Sequence, residues 1–596
     1  MIPELNSELD SELSTEQKPE QSTSLKVSIG QCSDKGRKDS NQDFHGSYIP
    51  KDSLLSIKGI AIAMADGISS SEFSHIASET AVKTFIDDYY CTSEAWTVKN
   101  SVERVLKSVN SWLYSQTMKG PGRYDKDKGY VTTLSAVVIK NHSAHIFHIG
   151  DTRVYRLNNN GLEQLTNDHR LWASEDNSYL SRALGIDDQY NFDHQSVTIK
   201  KDDLFILCTD GIHEHLPAKD IVQIIKTHPD DFNTAAQAIV TQALENGSDD
   251  NLSIQLVRID ELAENTALNI QQQVETLPFP PILSARMEFD GYTILRTLHT
   301  SSRSHVYLAQ DNQSQKQVVI KAPAIDIKND AEHLERFLME SWVARRINNA
   351  HVLKADLAER PKNYIYTVFE FIEGQTLAQW AIDNPKPELE VVRGLVEQLA
   401  KGLNALHKMD MLHQDIRPEN IMIDTQGTLK IIDFGSVSIA GIQEARRDLP
   451  HTYLQGTALY SAPEYFLGEQ GTLQSEIFSL GVITYYLLSG HYPYDARVAR
   501  TKTISEQRKL VYKTVLTEDR EIPSWVDDAI RKGTAPLPDR RYDSLFEYLH
   551  DLRKPNAEFL NKPRPALIER NPLALWQGVS FALAMIIIYL LITTNE

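Results

Sequence analysis

Residues 413–420 read His-Gln-Asp-Ile-Arg-Pro-Glu-Asn, and they decide how the second half of the chain is interpreted. They place Asp415 and Asn420 five positions apart. Asp-Phe-Gly at 433–435 follows a short apolar strand, and Ala-Pro-Glu comes later at 462–464. Either tripeptide alone is weak evidence, but the ordered set with these intervals is highly specific.

Charged residues upstream add the remaining groups that phosphoryl transfer needs. Lys321 ends the apolar strand 318–321, and Glu340 lies in segment 335–347, whose apolar spacing is helical, so the two could pair. Transfer of a phosphoryl group from ATP requires a cation at the phosphates, a metal clamp and a residue that orients the attacking hydroxyl. The second half of the chain carries residues suited to each requirement.

The ordered set resembles the eukaryotic-like Ser/Thr protein kinases across residues 289–555, which implies a bilobal kinase fold. The resemblance implies that Lys321 binds the α- and β-phosphates of ATP, that Glu340 positions Lys321, and that Asp415 is the catalytic base. It assigns the remaining contacts as follows: Val306 to the nucleotide, Glu370 to Ile372 to the adenine hinge, Asn420 and Asp433 to Mg²⁺, and Arg417 to the γ-phosphate.

Three positions depart from the kinase pattern. Residues 299–304 read His-Thr-Ser-Ser-Arg-Ser where a glycine-rich loop is expected, and glycine there lets backbone N–H groups approach the phosphates. Gln414 replaces the Arg that usually reads a phosphorylated activation loop, and Glu476 replaces the usual Asp. The pattern also implies an ion pair between Glu464 and Arg541. The first interpretation is an active kinase, and the alternative is a nucleotide-binding pseudokinase domain.

The first half of the chain carries aspartates where apolar strands end, most of them beside a glycine. A carboxylate in that setting points into a cleft that the backbone can also approach. If several converge, they can hold two Mg²⁺ or Mn²⁺ ions about 3.5–4 Å apart, which activate a bridging water and clamp a phosphoryl oxygen. The candidates are Asp43, Asp66, Asp151, Asp210 and Asp250.

This series, with the segments 150–155, 165–169 and 182–185, resembles the metal-dependent protein phosphatases of type 2C across residues 25–258. The resemblance implies a β-sandwich flanked by helices. It places Asp43, Asp66, Gly67 (through its carbonyl), Asp210 and Asp250 around a dinuclear centre, and Asp151 at a third, weaker metal. Arg37 or Lys38 would hold the substrate phosphate, and the spacing to Asp43 does not decide which. Gln42 stands where many relatives have Glu.

Charge and cysteine content exclude several other classes of protein. The 596 residues include 61 Lys and Arg against 81 Asp and Glu, a formal net charge of −20. An acidic chain is a poor candidate for binding nucleic acid, because neutralising phosphates needs a basic surface. The three scattered cysteines are typical of a reducing compartment and argue against a disulfide framework.

The pattern along the chain predicts a multidomain α+β protein with a membrane anchor. Residues 573–592 contain no charge, and a helix of that length at about 1.5 Å per residue spans a roughly 30 Å hydrocarbon core. Basic residues precede this segment, so both domains are expected on the cytoplasmic side of a single-pass inner-membrane protein. The predicted divisions are a disordered tail 1–24, a phosphatase domain 25–258, a linker 259–288, a kinase domain 289–555, a juxtamembrane segment 556–572 and a transmembrane helix 573–592.

The combined interpretation is a bifunctional enzyme with protein substrates, and the chain itself is one candidate substrate. One half would phosphorylate Ser and Thr, and the other would hydrolyse phosphoserine and phosphothreonine. The cofactors implied are two or three Mg²⁺ or Mn²⁺ ions in the phosphatase, and Mg²⁺ with ATP in the kinase. The alternative is an active phosphatase regulated by a nucleotide-binding pseudokinase. A third interpretation, an adaptor with both sites inactive, is disfavoured because an adaptor has no use for five retained carboxylates.

Overall fold

The computed structural model describes most of the chain. The residues described are 24–158, 161–172, 178–189, 191–262, 277–327, 330–356, 360–444, 458–516, 521–560 and, near the C-terminus, 576, 577, 580, 583 and 585. Nearly all of the predicted N-terminal tail therefore lies outside the described residues, as do most of the predicted juxtamembrane and transmembrane segments.

In the described residues the N-terminal region contains two five-stranded antiparallel sheets and one short two-stranded sheet. Its strands are β1 (Lys26–Asp34), β2 (Asp43–Tyr48), β3 (Ile60–Asp66), β4 (Leu134–Lys140), β5 (Ser143–Ile149), β6 (Arg153–Asn158), β7 (Gly161–Gln164), β8 (Arg170–Trp172), β9 (Ser178–Leu180), β10 (Asp193–Thr198), β11 (Leu204–Cys208) and β12 (Leu252–Glu261). One five-stranded sheet has the order β1-β12-β11-β6-β7, and the other has the order β10-β5-β4-β3-β2. The helices are α1 (Asp52–Lys58), α2 (Ser74–Cys91), α3 (Val98–Lys119), α4 (Asp210–His213), α5 (Ala218–Thr227) and α6 (Phe232–Glu245).

Strand β3 shows why these sheets stack face to face. Successive side chains of a strand point to opposite faces, so a strand covered on both faces is apolar throughout. The larger Ile60, Ile62 and Met64 pack toward strands of the other sheet, in one cluster with Phe205. The alternate alanines, such as Ala63, pack against α2 and α3. Helices α5 and α6 cover the outer face of the other sheet. The expected β-sandwich flanked by helices is therefore present.

The C-terminal region has two lobes with separate cores. Its strands are β13 (Glu288–Phe289), β14 (Tyr292–Thr300), β15 (Ser304–Asp311), β16 (Gln317–Pro323), β17 (Thr367–Glu370), β18 (Gly374–Thr376), β19 (Met411–Leu412), β20 (Ile421–Asp424), β21 (Leu429–Ile431) and β22 (Ser438–Ile439). Its helices are α7 (Ala331–Arg346), α8 (Leu377–Asp383), α9 (Leu389–His407), α10 (Ala440–Gln443), α11 (Leu473–Ser489), α12 (Ile504–Gln507), α13 (Ser524–Gly533), α14 (Leu545–Arg553) and α15 (Ala557–Leu560).

The smaller lobe is the antiparallel sheet β13-β14-β15-β16-β17 with helix α7, and the larger lobe is mainly helical. Helix α11 is apolar on nearly every side and buries most of its residues, as expected for the central helix of a core. This arrangement agrees with the bilobal kinase fold that the motifs imply.

The predicted linker 259–288 is partly folded. Residues 259–261 complete β12, and Leu283 is buried in the core of the smaller lobe. Leu277 and Phe279 pack against α7 and Ile365, because apolar side chains in this segment bury surface on the lobe that follows. Of the predicted linker, residues 263–276 lie outside the described residues.

The predicted transmembrane helix, and the inner-membrane localisation that depended on it, must be corrected. A spanning helix needs about 20 consecutive, mostly apolar residues to cross the hydrocarbon core. Among the residues that the structure describes, no helix combines that length with that apolar character. Only positions 576, 577, 580, 583 and 585 of the segment 573–592 belong to the described part of the chain.

Candidate active sites

The phosphatase-like site forms where strands of the two sheets end. Asp43 begins β2 and Asp66 ends β3, and the antiparallel register places the two residues opposite each other. Asp210 follows β11 at the start of α4, and Asp250 precedes β12. Asp43 accepts a hydrogen bond of 3.0 Å from the hydroxyl of Thr209, which joins the ends of the two sheets. Four of the predicted ligands are thus brought to one edge of the sandwich.

The carboxylates in this site repel one another in a buried setting. Burial raises the pKa of Asp43 to about 7, with a smaller contribution from the charge of Asp250 and against opposing hydrogen bonds from Ser253 and Thr209. Burial, followed by the charges of Asp43 and Asp210, raises the pKa of Asp66 well above its usual range. Burial, with Asp151 and Asp250, raises the pKa of Asp210 to about 7. The site therefore carries more negative charge than its own surroundings compensate.

Arg170 compensates part of this charge, and sequence reasoning missed it. Its guanidinium lies 2.5 Å from Asp151, 2.7 Å from Asp210 and 2.5 Å from Glu214. Arg170 immediately follows the segment 165–169 that carries the family resemblance, so position along the chain could have indicated it. Its contacts depend on β8, which places the side chain over the carboxylates.

The two cations considered for the substrate phosphate point in different directions. Lys38 Nζ lies 2.5 Å from an Asp250 oxygen and donates a 2.5 Å hydrogen bond to Ser69. Arg37 donates a 3.5 Å hydrogen bond to the carbonyl of Leu244. In this structure Lys38, and not Arg37, reaches the carboxylate cluster.

The donor set fits divalent metal ions, although the carboxylates are not arranged as a formed metal site. Within the described residues no group of three or more His, Cys, Asp or Glu side chains is positioned to hold a metal ion. One buried oxygen of Asp43 has no hydrogen-bond partner, and its neighbours repel it. Oxygen donors with excess negative charge are what Mg²⁺ and Mn²⁺ prefer. Lys38 binds an oxygen of Asp250, and Arg170 binds oxygens of Asp151 and Asp210, so these cations pair with three of the predicted metal ligands.

The amide nitrogen of Gln42 is bonded to residues at the start of α2. Its side-chain nitrogen donates to the hydroxyl of Ser74 at 2.6 Å and to the carbonyl of Ser71 at 3.2 Å. Its backbone N–H donates to Asn251. The glutamine thus anchors the start of α2, a role that needs no charge. At Gly67 an added Cβ would lie 2.7 Å from the carbonyl oxygen of Ser74, so this position tolerates only glycine.

The kinase-like site contains the expected ion pair. Lys321 Nζ lies 2.6 and 2.7 Å from the two oxygens of Glu340 and 3.9 Å from Asp433. Burial acts to lower the pKa of Lys321, but Glu340 and then Asp433 outweigh it and raise that pKa to about 12. Val306 is the register partner of Lys321 on β15. Phe434 is fully buried, which leaves Asp433 directed toward the lysine.

The loop with Asp415 is held by a glutamate of the central helix. Asn420 donates to the Asp415 carboxylate at 3.0 Å and to its carbonyl at 2.9 Å. Buried Glu476 accepts hydrogen bonds from the backbone N–H groups of His413 and Gln414 and from the ring of His407. Glu476 has a longer side chain than the usual Asp, and it still fits beside the loop and binds its backbone.

Burial raises the pKa of Asp415, while the charges of His413 and Arg417 and the hydrogen bond from Asn420 oppose this rise. A raised pKa makes a carboxylate a better proton acceptor, as a catalytic base requires. Arg417 forms a 2.9 Å ion pair with Glu419 and so has a carboxylate partner of its own.

The loop without glycine is closed by one serine side chain. Ser301 Oγ accepts from the backbone N–H of Ser304 at 3.1 Å and from that of Arg303 at 3.3 Å, and it donates to the Ser304 carbonyl at 3.0 Å. One hydroxyl thus takes up two backbone N–H groups at the turn between β14 and β15. The sequence indicated the missing glycines but not these hydrogen bonds.

Two further predicted features have defined surroundings. At the predicted hinge, Glu370 ends β17 and forms a 2.8 Å ion pair with Lys430. Its backbone N–H donates to the Lys354 carbonyl. Ile372, further along the chain, is buried. In the larger lobe Arg541 lies 2.7 Å from Glu464. Both members of that pair are fully buried, so the predicted ion pair is part of the core.

Comparison with known proteins assigns a family to each region. Residues 33–256 match the protein phosphatase 2C family, and residues 292–551 match the protein kinase domain family. A serine/threonine-protein kinase of Bacillus subtilis, PrkC, is 30% identical over 279 residues, covering 46% of this chain and 42% of its own. PknL of Mycobacterium bovis is 28% identical over 274 residues, covering 46% of this chain and 67% of its own. The chain spans less than half the length of PrkC.

Solved structures resemble each half separately. The kinase domain of Mycobacterium tuberculosis PknI is 22% identical, covering 46% of this chain and 100% of its own, with a TM-score of 0.36. The catalytic domain of the phosphatase PstP, solved with two manganese ions, is 19% identical, covering 40% of this chain and 100% of its own, with a TM-score of 0.33. Each half of the chain is thus similar to one family, the first to protein phosphatase 2C and the second to the protein kinase domain.

Proposed function

We propose that the chain is a bifunctional enzyme that phosphorylates Ser and Thr residues of proteins and also hydrolyses phosphoserine and phosphothreonine. The observation that carries the kinase half is the Lys321–Glu340 pair beside Asp433, with Phe434 buried. This arrangement supports a nucleotide site, because phosphoryl transfer needs a cation at the phosphates and a carboxylate for the metal.

In the kinase reaction each residue has a distinct task. Lys321 binds the α- and β-phosphates, and Glu340 keeps the lysine pointing at them. Asp415 accepts the proton of the substrate hydroxyl, and Asn420 holds the Asp415 carboxylate in place through its 3.0 Å hydrogen bond. Asp433 and Asn420 would hold Mg²⁺, which would supply positive charge to offset the negative charge of the phosphates during transfer.

In the phosphatase reaction the carboxylates supply the metal site. Asp43, Asp66, Asp210 and Asp250, with the Gly67 carbonyl, would hold two Mg²⁺ or Mn²⁺ ions, and Asp151 would serve a third. Such ions lower the pKa of a bound water and polarise the phosphoryl oxygen. Lys38 lies at the cluster, so it is better placed than Arg37 to pair with the substrate phosphate.

One observation favours the alternative of a nucleotide-binding pseudokinase. Ser301 Oγ occupies backbone N–H groups that would otherwise meet the phosphates. The loop therefore binds phosphate less well than a glycine-rich loop, while the groups that bind metal and orient the hydroxyl remain. Binding of ATP without turnover would favour this alternative.

The test uses the full chain carrying Asp210→Asn, which silences the phosphatase. It is incubated with ATP and Mg²⁺ or Mn²⁺, and its intact mass is followed over time. Each phosphorylation adds about 80 Da. We expect such steps, and we expect Asp433→Asn to abolish them. With native Asp210 the added mass should decay after ATP is removed. No gain in mass despite bound ATP would reject the kinase proposal.

A further inference from the structure

The phosphatase domain contacts the kinase domain just beyond the 433–435 motif. There the chain forms β22 and then the short helix α10. The backbone N–H of Gly441 in α10 donates a 3.0 Å hydrogen bond to the carbonyl of Ala95, in the turn between α2 and α3. An added Cβ at Gly441 would lie 2.7 Å from the Trp96 carbonyl oxygen. The two backbones therefore meet with no space for a side chain.

A buried lysine completes this contact. Lys140, at the end of β4, is 3% exposed and donates to the carbonyl of Gly441 at 2.8 Å and to Glu444 at 3.2 Å. The same Glu444 oxygen accepts the backbone N–H of Val98 at 3.0 Å, and its other oxygen lies 3.7 Å from His145. A buried ammonium without partners is costly, so the kinase residues satisfy a charge that the phosphatase domain could not satisfy in the same way.

Contacts beside this centre reach two more kinase elements. Trp96 Nε1 donates to the carbonyl of Lys408 at 3.1 Å, and Asn100 donates to Asp410 at 2.7 Å, shortly before the catalytic loop. Arg346, at the end of α7, lies 2.7 Å from Glu94. Helix α7 is the helix that carries Glu340. The interface thus joins three elements on which the kinase site depends.

The phosphatase side of the interface is rigid in its own right. Lys58 is buried and donates to the Thr92 hydroxyl at 2.7 Å and to the Ser93 carbonyl at 2.8 Å. Thr97 caps α3 by accepting the backbone N–H of Asn100 at 3.1 Å. These bonds fix the turn that presents Ala95 and Trp96, so binding costs little ordering of this surface.

The kinase catalytic loop has no cation of its own at the position before Asp415, where Gln414 stands. Gln414 is neutral, so it cannot hold an acidic or phosphorylated residue of the segment after 433–435 by charge. Lys140 supplies a cation to that segment from the other domain, and Glu444 is the residue that receives it.

From this geometry we propose that Lys140 of the phosphatase domain is a positioning residue for the kinase reaction. It holds residues 438–444 in the arrangement in which Lys321 pairs with Glu340, and so the phosphatase domain acts as a built-in activating partner. This role is separate from phosphate hydrolysis, because Lys140 lies outside the carboxylate cluster. The inference rests on the proposed kinase function for its catalytic readout.

The catalytic test compares Lys140→Met with Lys201→Met, an exposed turn lysine, in the full chain carrying Asp210→Asn. Initial rates of autophosphorylation are measured over a range of ATP concentrations. We expect Lys140→Met to lower the maximal rate by about tenfold, because a buried pair is broken, with the ATP concentration for half-maximal rate nearly unchanged. With native Asp210, hydrolysis of p-nitrophenyl phosphate should not change.

A charge exchange separates positioning from a general loss of structure. Lys140→Glu alone should lower the rate at least as much as Lys140→Met. Adding Glu444→Lys to Lys140→Glu should restore part of the rate, because the pair forms again with reversed charges. If the double variant is no faster than Lys140→Glu alone, the pair is not what positions the segment.

Hydrogen exchange tests the docking without any catalysis. In the full chain without ATP, Lys140→Met should speed the exchange of backbone amides at 438–444 and at 94–98, while Lys201→Met should not. If the parent protein never gains phosphate, the proposed kinase function fails, and the exchange result still decides the docking. Unchanged exchange together with an unchanged maximal rate would overturn the inference.

Discussion

The two active sites of this chain differ in how their charges are balanced. In the kinase domain one cation, Lys321, lies 2.6 Å from Glu340 and 3.9 Å from Asp433, so two carboxylates share one positive charge. In the phosphatase domain several aspartates lie close together, and among the described residues Lys38 and Arg170 are the cations that pair with them. The kinase site is ready for a nucleotide that brings its own metal, whereas the phosphatase site needs cations to be stable.

The largest expected effect concerns the kinase site. Asp415→Asn removes the proton acceptor but keeps the hydrogen bond from Asn420, so the autophosphorylation rate should fall by about 10³-fold. The rate is measured in the full chain with Asp210→Asn, against the same chain with native Asp415. Hydrolysis of p-nitrophenyl phosphate with native Asp210 is the control and should not change. A rate within tenfold of the parent would remove Asp415 from the base role.

The next effect is the pH dependence of stability that the buried carboxylates give the phosphatase domain. Burial raises the pKa of Asp43 from 3.8 to about 7 and that of Asp66 well above 3.8, so the folded state holds protons that the unfolded state releases. Without metal the stability contributed by these protons is present below about pH 4 and is lost as the pH rises toward 7. Asp66→Asn should therefore raise the phosphatase unfolding temperature at pH 7.5 in EDTA by about 3 °C, with no rise at pH 4.5.

Calorimetry of the full chain checks this expectation, with Asp87→Asn on the exposed face of α2 as the matched control. Mn²⁺ should stabilise the parent more at pH 7.5 than at pH 5.5, because binding displaces protons at the lower pH. Asp66→Asn should lose most of that stabilisation. An equal effect of Asp66→Asn at both pH values would contradict the charge argument.

A smaller effect concerns the internal cation. Arg170 holds Asp151 and Asp210, so a metal ion must displace it to use those oxygens. Arg170→Met should tighten Mn²⁺ binding by about three- to tenfold while lowering stability in EDTA, since the carboxylates lose their partner. Isothermal calorimetry measures the binding. Arg182→Met, which breaks the exposed pair with Asp193, is the control. Weaker Mn²⁺ binding would show that Arg170 supports the metal site instead of competing with it.

The smallest effect concerns the loop without glycine. Ser301→Gly removes the hydroxyl that accepts the N–H groups of Arg303 and Ser304, so these can turn toward phosphate. The ATP concentration for half-maximal autophosphorylation should fall by about two- to fivefold. Ser302→Gly adds the same backbone freedom without removing that acceptor and should change it less. Equal effects of both variants would assign the gain to flexibility alone.

Sequence reasoning was most successful where a function needs several residue types at set intervals. The spacing of the motifs that carry Lys321, Glu340, Asp415 and Asp433 indicated the kinase fold, and the expected pairing of Lys321 with Glu340 is present. The aspartates of the first half were recognised in the same way, since each lies at or next to the end of a strand that the sandwich core requires.

Other features depend on contacts that no local pattern encodes. Arg170 was missed because its partners Asp151, Asp210 and Glu214 lie 19 to 44 residues away along the chain, and only the fold brings them together. Lys140 ends an ordinary apolar strand, and nothing around it in the sequence indicates Glu444, about 300 residues away. The expected membrane helix was wrong. That prediction rested on apolar composition alone, a local property that does not by itself establish a spanning helix.

The close approach at Gly441 has a consequence for how this chain can vary. No side chain fits between Gly441 and the carbonyl oxygens of Glu94, Ala95 and Trp96. A substitution at Gly441 would therefore push the two domains apart. A change confined to one domain thereby becomes a change in the other. The two domains are joined by more than a peptide tether, and neither can be exchanged for a relative's domain unless the replacement matches this surface.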